Sequence, residues 1–228
     1  MEKFNRWELQ KNKLYYYLFV ERFSKKINFD FPAHISRWDL IKKIIDIKNF
    51  KSYLEIGCDD DNSFSKINVE KKVGVDPHSG GNFIGTSDEF FLQNEENFDC
   101  IFIDGLHEYD QVCKDIHNSL KILDKNGIIL LHDCLPPTLH AQAVPRYKKV
   151  WNGDVWKSIV KFRTNPNIDI VTCRIDNGIS IIRKVKNREV LKIDCTNFKK
   201  LKFKDFFYNY CEYMRIIDFE NLIKYIQH

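Results

Sequence analysis

The sequence predicts an α/β fold whose mainly parallel sheet ends in an antiparallel hairpin. Between residues 49 and 184, short segments that are apolar on both faces alternate with helical segments. This alternation is typical of parallel strands joined by helices that cover both faces of a sheet. Near the end of the region, two apolar runs flank Asp176-Asn177-Gly178. An Asn-Gly pair between two such runs is a strong signal for a tight hairpin turn.

Each predicted strand is a short apolar run bounded by polar or turn-forming residues. The strands are predicted over residues 52–56, 72–75, 83–85, 98–103, 127–131, 168–175 and 179–183. The most regular helix lies between the fourth and fifth strands. Its apolar face comprises Tyr109, Val112, Cys113, Ile116, Leu120 and Leu123. Asn126-Gly127 is expected to end this helix, because Gly and Asn favour the left-handed conformation that caps helices.

Helical segments on either side of this region predict three zones. Residues 1–48 are expected to form an N-terminal helical cap, residues 49–184 a central domain, and residues 185–228 a C-terminal helical extension. In the extension, helices are predicted over residues 203–214 and 218–226. The extension could act as a cap or as a contact in a homo-oligomer, and the sequence leaves both open.

Two helices are predicted in the N-terminal cap. The first spans residues 5–23, where apolar residues recur at helical spacing and the tyrosine run at 15–17 is expected to pack. The second begins at Ser36, with Asp39 three residues further on. This spacing predicts a capping box, in which each side chain satisfies the other residue's backbone N–H.

Composition excludes several classes of protein. The net charge is +4 over 228 residues, and acidic residues are interleaved with basic ones, so no nucleic-acid-binding stripe is predicted. Seven scattered cysteines form no CxxC pair, which favours reduced thiols over a disulfide framework or a zinc site. No apolar run has membrane-spanning length and no signal peptide is evident, so a cytoplasmic protein without a membrane partner is expected.

Acidic or hydroxyl-bearing residues follow each of the first five predicted strands. In an open α/β sheet, ligands bind beyond the carboxyl ends of the strands, so these residues are candidates for a binding site. In strand order they include Glu55 to Asp59 around Gly57, then Asp76, then Thr86-Ser87-Asp88, then Asp104 to His107, and finally His132-Asp133. The sequence therefore predicts one ligand site at one edge of the sheet.

The spacing between Gly57 and Asp76 points to a nucleotide-like ligand. Gly57 would let the backbone approach the ligand, and an acid about 20 residues further on suits the hydroxyls of a ribose. The G-x-G-x-x-G pattern of a dinucleotide site is missing, and three aspartates follow Gly57 within four residues. Those charges would repel a pyrophosphate but tolerate an ammonium, which favours S-adenosylmethionine over NAD.

Several segments together resemble class I S-adenosylmethionine-dependent methyltransferases, and more narrowly a bacterial branch associated with glycan and secondary-metabolite pathways. They are Tyr53-Leu54-Glu55-Ile56-Gly57, Val73-Gly74-Val75-Asp76-Pro77, Thr86-Ser87-Asp88-Glu89-Phe90-Phe91, Phe102-Ile103-Asp104-Gly105-Leu106-His107, Leu131-His132-Asp133-Cys134 and Trp151-Asn152-Gly153-Asp154-Val155-Trp156-Lys157. The resemblance covers about residues 50–184. It implies a Rossmann-like catalytic domain and a small-molecule or sugar acceptor that is methylated on a hydroxyl group.

The resemblance also implies roles for particular residues. Glu55 and Gly57 would line the methionine end of the donor, Asp76 would bind the ribose, and Asp104 would lie beside the transferred methyl group. Ser87 and Asp88 would lie near the adenine. Asp60, Asp61 and Asn62 stand where relatives carry a second glycine.

Chemistry at the acceptor needs a group that takes a proton from the hydroxyl. His107 and His132 are the candidate bases, and Asp104 lies close to them in the predicted fold. Asp104, His132 and Asp133 could instead hold a divalent metal such as magnesium or manganese, which would lower the pKa of the hydroxyl. If no metal is present, His132 could act as the base with Asp133 orienting it.

Two other functions stay open on the sequence alone. An NAD-dependent enzyme could have the same fold, although the missing glycines count against it. The second is a binding protein that has this fold but no catalytic activity. The acidic residues after Gly57 are the best support for this alternative. Binding of S-adenosylmethionine, of NAD or of neither would separate the three.

Overall fold

A mixed eight-stranded sheet organises the described part of the chain in the computed structural model, which comprises residues 6–19, 25–146 and 150–227. The strands are β1 Ser52–Ile56, β2 Lys71–Asp76, β3 Phe83–Ile84, β4 Phe98–Ile103, β5 Leu123–Leu131, β6 Asp169–Cys173, β7 Ile179–Arg183 and β8 Ile216–Ile217. The helices are α1 Arg6–Phe19, α2 Arg37–Lys48, α3 Ser87–Gln93, α4 Tyr109–Ile122, α5 Trp156–Arg163, α6 Phe203–Met214 and α7 Phe219–Gln227.

The strand order is β3-β2-β1-β4-β5-β7-β6-β8. Strands β1 to β5 run parallel to one another, and β7 pairs antiparallel with both β5 and β6. The turn between β6 and β7 places Asp176, Asn177 and Gly178 at positive φ (40°, 63° and 91°), a conformation that Asn, Asp and Gly adopt most readily. The predicted parallel sheet with an antiparallel hairpin is therefore confirmed.

Both faces of the sheet are covered, as the apolar character of the strands predicts. One core lies under α3, α4, α5 and α6, and it includes Leu54 and Trp156. The other core lies under α2 and α7 and includes Tyr53, the neighbour of Leu54 on the same strand. The C-terminal segment thus contributes one helix to each layer, and β8, which was not predicted, adds a strand beside β6.

The predicted end of α4 is wrong. The helix ends at Ile122, and Leu123 is already extended (φ −74°, ψ 127°) and pairs with Phe98 as the first residue of β5. Asn126-Gly127 therefore lies inside a strand. Leu123 leaves the helix because its backbone pairs with β4, so the helix ends without a glycine cap. A side chain at residue 127 would come within 2.8 Å of the Asp99 carbonyl oxygen, which explains the glycine there.

Helix α2 begins as predicted, with Ser36 at the N-cap and a complete capping box to Asp39. Helix α1 is confirmed over Arg6–Phe19, whereas residues 5 and 20–23 of the predicted span lie outside the described residues. The expected packing of the tyrosine run is wrong for Tyr15 and Tyr17, whose side chains are exposed. Neither α1 nor any other helix in the described ranges is long and apolar enough to cross a membrane.

Candidate active site

The carboxyl ends of β1 and β4 meet at Gly57. This glycine has φ +89°, and a Cβ atom there would lie 2.3 Å from the Asp104 carbonyl oxygen. The Asp104 N–H in turn donates to the Ile56 carbonyl oxygen at 2.8 Å. Only glycine allows both the left-handed backbone and this close approach. Gly57 therefore joins the loop after β1 to the residue that follows β4.

The Asp76 carboxylate binds the backbone of two loops. Its Oδ1 accepts hydrogen bonds from the N–H groups of His78 (2.8 Å) and Ser79 (3.0 Å), and its Oδ2 accepts one from Asp59 N–H (3.0 Å). Burial opposes ionisation, but these N–H groups hold the pKa of Asp76 below its usual range. Asp76 thus ties the loop after β2 to the loop after β1, at the position predicted for ribose binding.

Glu55 is a buried acid at the end of β1, with 1% of its surface exposed. Its Oε2 accepts a hydrogen bond of 2.5 Å from the Tyr53 hydroxyl. Burial raises the pKa of Glu55 to about 8, the Tyr53 hydrogen bond opposes that rise, and the nearby Asp104 carboxylate adds to it. A ligand ammonium group at this position would stabilise the ionised form.

Glu55→Gln is expected to change how stability depends on pH. Burial raises the folded-state pKa of Glu55 from 4.5 to about 8. The contribution of the protonated acid to folding stability is therefore complete below pH 4.5, and it is lost as pH rises through 8. At pH 8, the uncharged Glu55→Gln variant should be more stable than the wild type, by on the order of a few kcal/mol. Urea unfolding at pH 5 and pH 8 measures the difference.

The control for this experiment is Glu95→Gln, which changes an exposed acid in a loop. It should leave the pH dependence of the wild type in place. A stability difference between wild type and Glu55→Gln that is the same at both pH values would show that Glu55 is ionised in the folded protein.

The residues predicted to lie near adenine, Ser87 and Asp88, begin helix α3 and contact helix α4. The Ser87 hydroxyl donates to Asp115 Oδ1 at 2.7 Å. The Gln111 side-chain amide donates to Asp88 Oδ1 and to Asp115 Oδ1, at 3.1 Å each, and Lys114 pairs with Asp88 Oδ2. Asp115 is buried, and burial raises its pKa to about 6. These contacts fix the start of α3 relative to α4.

Asp104 is the centre of a cluster of charged side chains. Its Oδ1 lies 2.9 Å from His132 Nδ1 and 3.3 Å from His107 Nε2. Its Oδ2 accepts a hydrogen bond from Arg37 Nη1. The three predicted catalytic residues, Asp104, His107 and His132, are thus brought together by β4 and β5.

Asp133 closes the cluster on its other side. Its Oδ2 lies 3.2 Å from His107 Nδ1 and 3.5 Å from His132 Nδ1, and its Oδ1 accepts a hydrogen bond from the Asn152 amide at 3.0 Å. The His107 ring stacks on Trp151, with 5.1 Å between ring centroids. The segment with Trp151 and Asn152 therefore supports both an imidazole and a carboxylate. Trp156 is fully buried in the core.

The charges in this cluster stabilise one another. Burial opposes ionisation of Asp104, but the two histidines hold its pKa well below the usual range. Burial also favours neutral imidazoles, yet the carboxylates of Asp104 and Asp133 raise the pKa of His132 well above its usual value and raise that of His107. The two carboxylates therefore favour the protonated form of both imidazoles, as long as no other cation lies in the cluster.

Two members of the cluster were not predicted. Arg37, at the start of α2, contacts Asp104 and also donates from Nε to Asp176 Oδ2 at 2.9 Å. Asp176 follows β6, and its Oδ1 lies 3.5 Å from His132 Nε2. Asp176 is a polar residue at the end of a strand, which is the same signal that marks the other acids of the site. No local pattern marks Arg37, since its role depends on a contact 67 positions along the chain.

The cluster also contains a candidate metal site. One ligand atom from each of Asp104, His107 and Asp133 can be chosen so that all lie within 4.8 Å of one another. His132 contacts both carboxylates and lies beside this set. Carboxylate oxygens and imidazole nitrogens are ligands that magnesium, manganese and related ions accept.

Charge balance agrees with that donor set. Asp104, Asp133 and Asp176 carry three negative charges when ionised, and Arg37 balances one of them. Two protons on the histidines or one divalent cation would neutralise the remaining two. The residues present therefore fit a divalent cation, provided that the ligating imidazole is neutral.

Comparison with known proteins finds similarity to methyltransferases in sequence and in fold. Residues 33–134 match a family model described as a methyltransferase domain. Among curated proteins, none matches the sequence. The solved structure of the SAH-bound methyltransferase PaMTH1 of Podospora anserina is similar, with a TM-score of 0.51 and 19% identity over 81% of this chain and 98% of that chain.

Two bacterial structures are similar to the same degree. A Klebsiella pneumoniae protein described as an O-methyltransferase has a TM-score of 0.51 and 13% identity over 70% of this chain and 84% of its own. A Staphylococcus aureus protein described as a caffeoyl-CoA O-methyltransferase has a TM-score of 0.50 and 17% identity over 78% of this chain and 92% of its own. At these identities the similarity concerns the fold.

The domain match and the strand order point to the same kind of fold. Residues 33–134 match a methyltransferase domain, and the whole sheet has the fold of the methyltransferase structures named above. This confirms the predicted fold, and the matched domain agrees with the class of enzyme that the sequence predicts.

Proposed function

We propose that the protein methylates a hydroxyl group of a small molecule, and that this acceptor is a sugar or a similar polyol. The single observation that carries the proposal is the cluster around Asp104, which lies at the sheet edge beside Gly57. Its closely spaced carboxylates and imidazoles can bind adjacent hydroxyl groups and can accept a proton from one of them. S-adenosylmethionine, when bound, supplies a methyl group already activated on a sulfonium.

The donor residues are proposed from their position around Gly57. Glu55 and Gly57 would receive the methionine end, because a buried acid suits an ammonium and Gly57 begins the loop directly after β1. Asp76 would bind the ribose. Ser87 and Asp88, held by α4, would border the adenine. Asp104 would face the methyl group, since its backbone is in contact range of Gly57.

The proposed reaction is tested by supplying S-adenosylmethionine with a panel of acceptors. The panel contains methyl glycosides, catechol, a primary amine and a thiol, and release of S-adenosylhomocysteine measures turnover. We expect turnover with an acceptor that has adjacent hydroxyl groups and an O-methylated product by mass spectrometry. Transfer to the amine or thiol alone would contradict the proposed acceptor class.

Asp76→Ala is expected to weaken donor binding. Loss of the carboxylate would leave a ribose hydroxyl unpaired, at a cost of about 1–3 kcal/mol. Calorimetric titration with S-adenosylhomocysteine measures it. Asp60→Ala is the matched control, because Asp60 lies in the adjoining loop and its side chain hydrogen-bonds only to Asn62 among the contacts seen. Unchanged affinity in a folded Asp76→Ala protein would remove Asp76 from the donor site.

We also propose that the cluster holds a divalent cation, magnesium or manganese, through Asp104, Asp133 and the imidazole of His107, with His132 beside them. The cation would lower the pKa of the acceptor hydroxyl and hold it in place. His132 is the imidazole that the sequence predicts as the ligand, and variants of each histidine distinguish the two.

Exhaustive chelation is therefore expected to lower methyl transfer by about 10-fold or more, with recovery on adding magnesium or manganese. His117→Ala, which changes an exposed histidine on α4, is the control for histidine loss in general. Full activity in chelator, together with a large loss in His132→Ala, would exclude the metal and favour a histidine base.

The three predicted zones are also proposed as the organisation of the chain. Residues 49–184 would form the catalytic domain, residues 1–48 a cap and residues 185–228 an extension. The contact of Arg37 with Asp104 supports a cap that reaches the active site, and the pairing of β8 with β6 supports an extension that is part of the fold.

A further inference from the structure

Arg37 bridges two carboxylates that follow different strands of the sheet. Its Nη1 donates to Asp104 Oδ2, while its Nε (2.9 Å) and its backbone N–H (3.1 Å) donate to Asp176 Oδ2. Asp104 follows β4, near the middle of the sheet, and Asp176 lies in the β6–β7 turn. The helix that carries Arg37 is anchored by its capping box and by three fully buried side chains, so its start is a fixed point.

Asp176 continues the same chain of contacts to an imidazole. Its Oδ1 lies 3.5 Å from His132 Nε2, a buried atom that makes no hydrogen bond to any of the described residues. His132 Nδ1 lies 2.9 Å from Asp104 Oδ1. Arg37, Asp176, His132 and Asp104 therefore form a closed ring, in which each side chain faces two others.

We propose that Arg37 and Asp176 are positioning residues for the methyl-transfer reaction, which fix the orientation of Asp104 and His132. By occupying Oδ2 of Asp104, Arg37 turns Oδ1 toward both histidines. By facing Nε2, Asp176 holds the other side of the His132 ring. This inference rests on the proposed function, because it assigns these two residues to the same reaction.

The geometry requires a guanidinium and not merely a positive charge. The Asp104 contact uses Nη1 and the Asp176 contact uses Nε, so two nitrogens of one planar fork serve two carboxylates. A lysine ammonium is a single point donor and does not reproduce this fork. Arg37→Lys should therefore behave like Arg37→Gln.

Arg174 offers a matched control. It also joins the N-terminal part of the chain to the hairpin, by a hydrogen bond of 3.3 Å from Nη1 to the Phe29 carbonyl oxygen. That contact involves no carboxylate of the ring. Arg174→Gln should therefore remove a tether of the same kind without disturbing Asp104 or His132.

The first test needs no acceptor. Protein with ¹³C,¹⁵N-labelled histidine is freed of metal with chelator, and the His132 ring signals are assigned by their loss in His132→Gln. Arg37→Gln, Arg37→Lys and Asp176→Asn should each shift these signals by more than a linewidth at fixed pH, while Arg174→Gln leaves them in place. His132 signals unchanged in a folded Arg37→Gln protein would overturn the proposal.

The second test measures kinetics with the panel acceptor that turns over fastest. Arg37→Gln and Arg37→Lys should lower kcat by about 10- to 100-fold, the range for partners that orient reactive groups, while KM for S-adenosylmethionine changes little. The kcat of the Arg37→Gln/Asp176→Asn double variant should be no lower than that of the more impaired single variant, because the two residues act as a unit. Wild-type kcat in Arg37→Lys would overturn the positioning role.

The two proposals fail in different ways. If the wild type neither binds S-adenosylhomocysteine nor transfers methyl groups, the proposed function fails. If the wild type is active and a folded Arg37→Gln protein retains either its kcat or its His132 signals, the positioning role fails alone.

Discussion

Asp104→Asn is expected to lower kcat by about 10²- to 10⁴-fold, the range for loss of a group that takes part in proton transfer. The substitution keeps the shape of the side chain but removes its charge. His132 and His107 then lose the carboxylate oxygen that both contact, and Arg37 loses its ion pair. Single-turnover assays with S-adenosylmethionine and the best panel acceptor measure the effect.

Donor binding separates this effect from general damage to the fold. We propose that the Asp104 side chain acts on the acceptor, so affinity for S-adenosylhomocysteine should change far less than kcat. Asp99→Asn is the control, since Asp99 lies at the other end of β4 and binds the backbone of Lys51 and Ser52. It should cost stability without a comparable loss of kcat. Wild-type kcat in Asp104→Asn would remove Asp104 from the reaction.

Gly57→Ala is expected to cause the largest loss of donor binding. Its Cβ would lie 2.3 Å from the Asp104 carbonyl oxygen, and φ at +89° is strained for any residue with a side chain. The chain must shift at the point where β1 and β4 meet, so we expect destabilisation of about 3 kcal/mol or more, together with loss of S-adenosylhomocysteine binding. Thermal unfolding and calorimetry measure the two effects.

Gly105→Ala is the matched control for Gly57→Ala. A Cβ at Gly105 would meet the Ile56 side chain at 3.4 Å, which is ordinary van der Waals contact. The free energy of unfolding of this variant should be lower than that of the wild type by about 1 kcal/mol or less. Equal stability of the two variants would show that the approach of Gly57 to Asp104 is not tight in solution.

The fold was largely predictable because its signals are local. The strands Ser52–Ile56, Phe98–Ile103 and Ile179–Arg183 were predicted to the residue, since each is an apolar run with polar residues on both sides. The end of α4 was not, because strand pairing at Leu123 overrides the helix signal and leaves no mark in the local sequence. The two-residue β8 is too short to have a pattern of its own.

The site was partly predictable for a related reason. Asp104, His132 and Asp133 follow neighbouring strands, so the topology alone places them together. Arg37 was missed because it lies at the start of a helix in the N-terminal region, where only tertiary packing directs it toward Asp104. The hydrogen bonds of Asp76 to the loop backbone could not be predicted from the sequence either, because they depend on how two loops pack together.

We propose that S-adenosylmethionine binds at the carboxyl edge of the sheet, around Gly57. Calorimetric titration of the purified protein with S-adenosylhomocysteine, and separately with NAD, tests it most directly. We expect binding of one molecule of S-adenosylhomocysteine per chain, with affinity lowered in Asp76→Ala and abolished in Gly57→Ala, and no heat with NAD. Binding of NAD without S-adenosylhomocysteine, or binding of neither by folded protein, would contradict the claim.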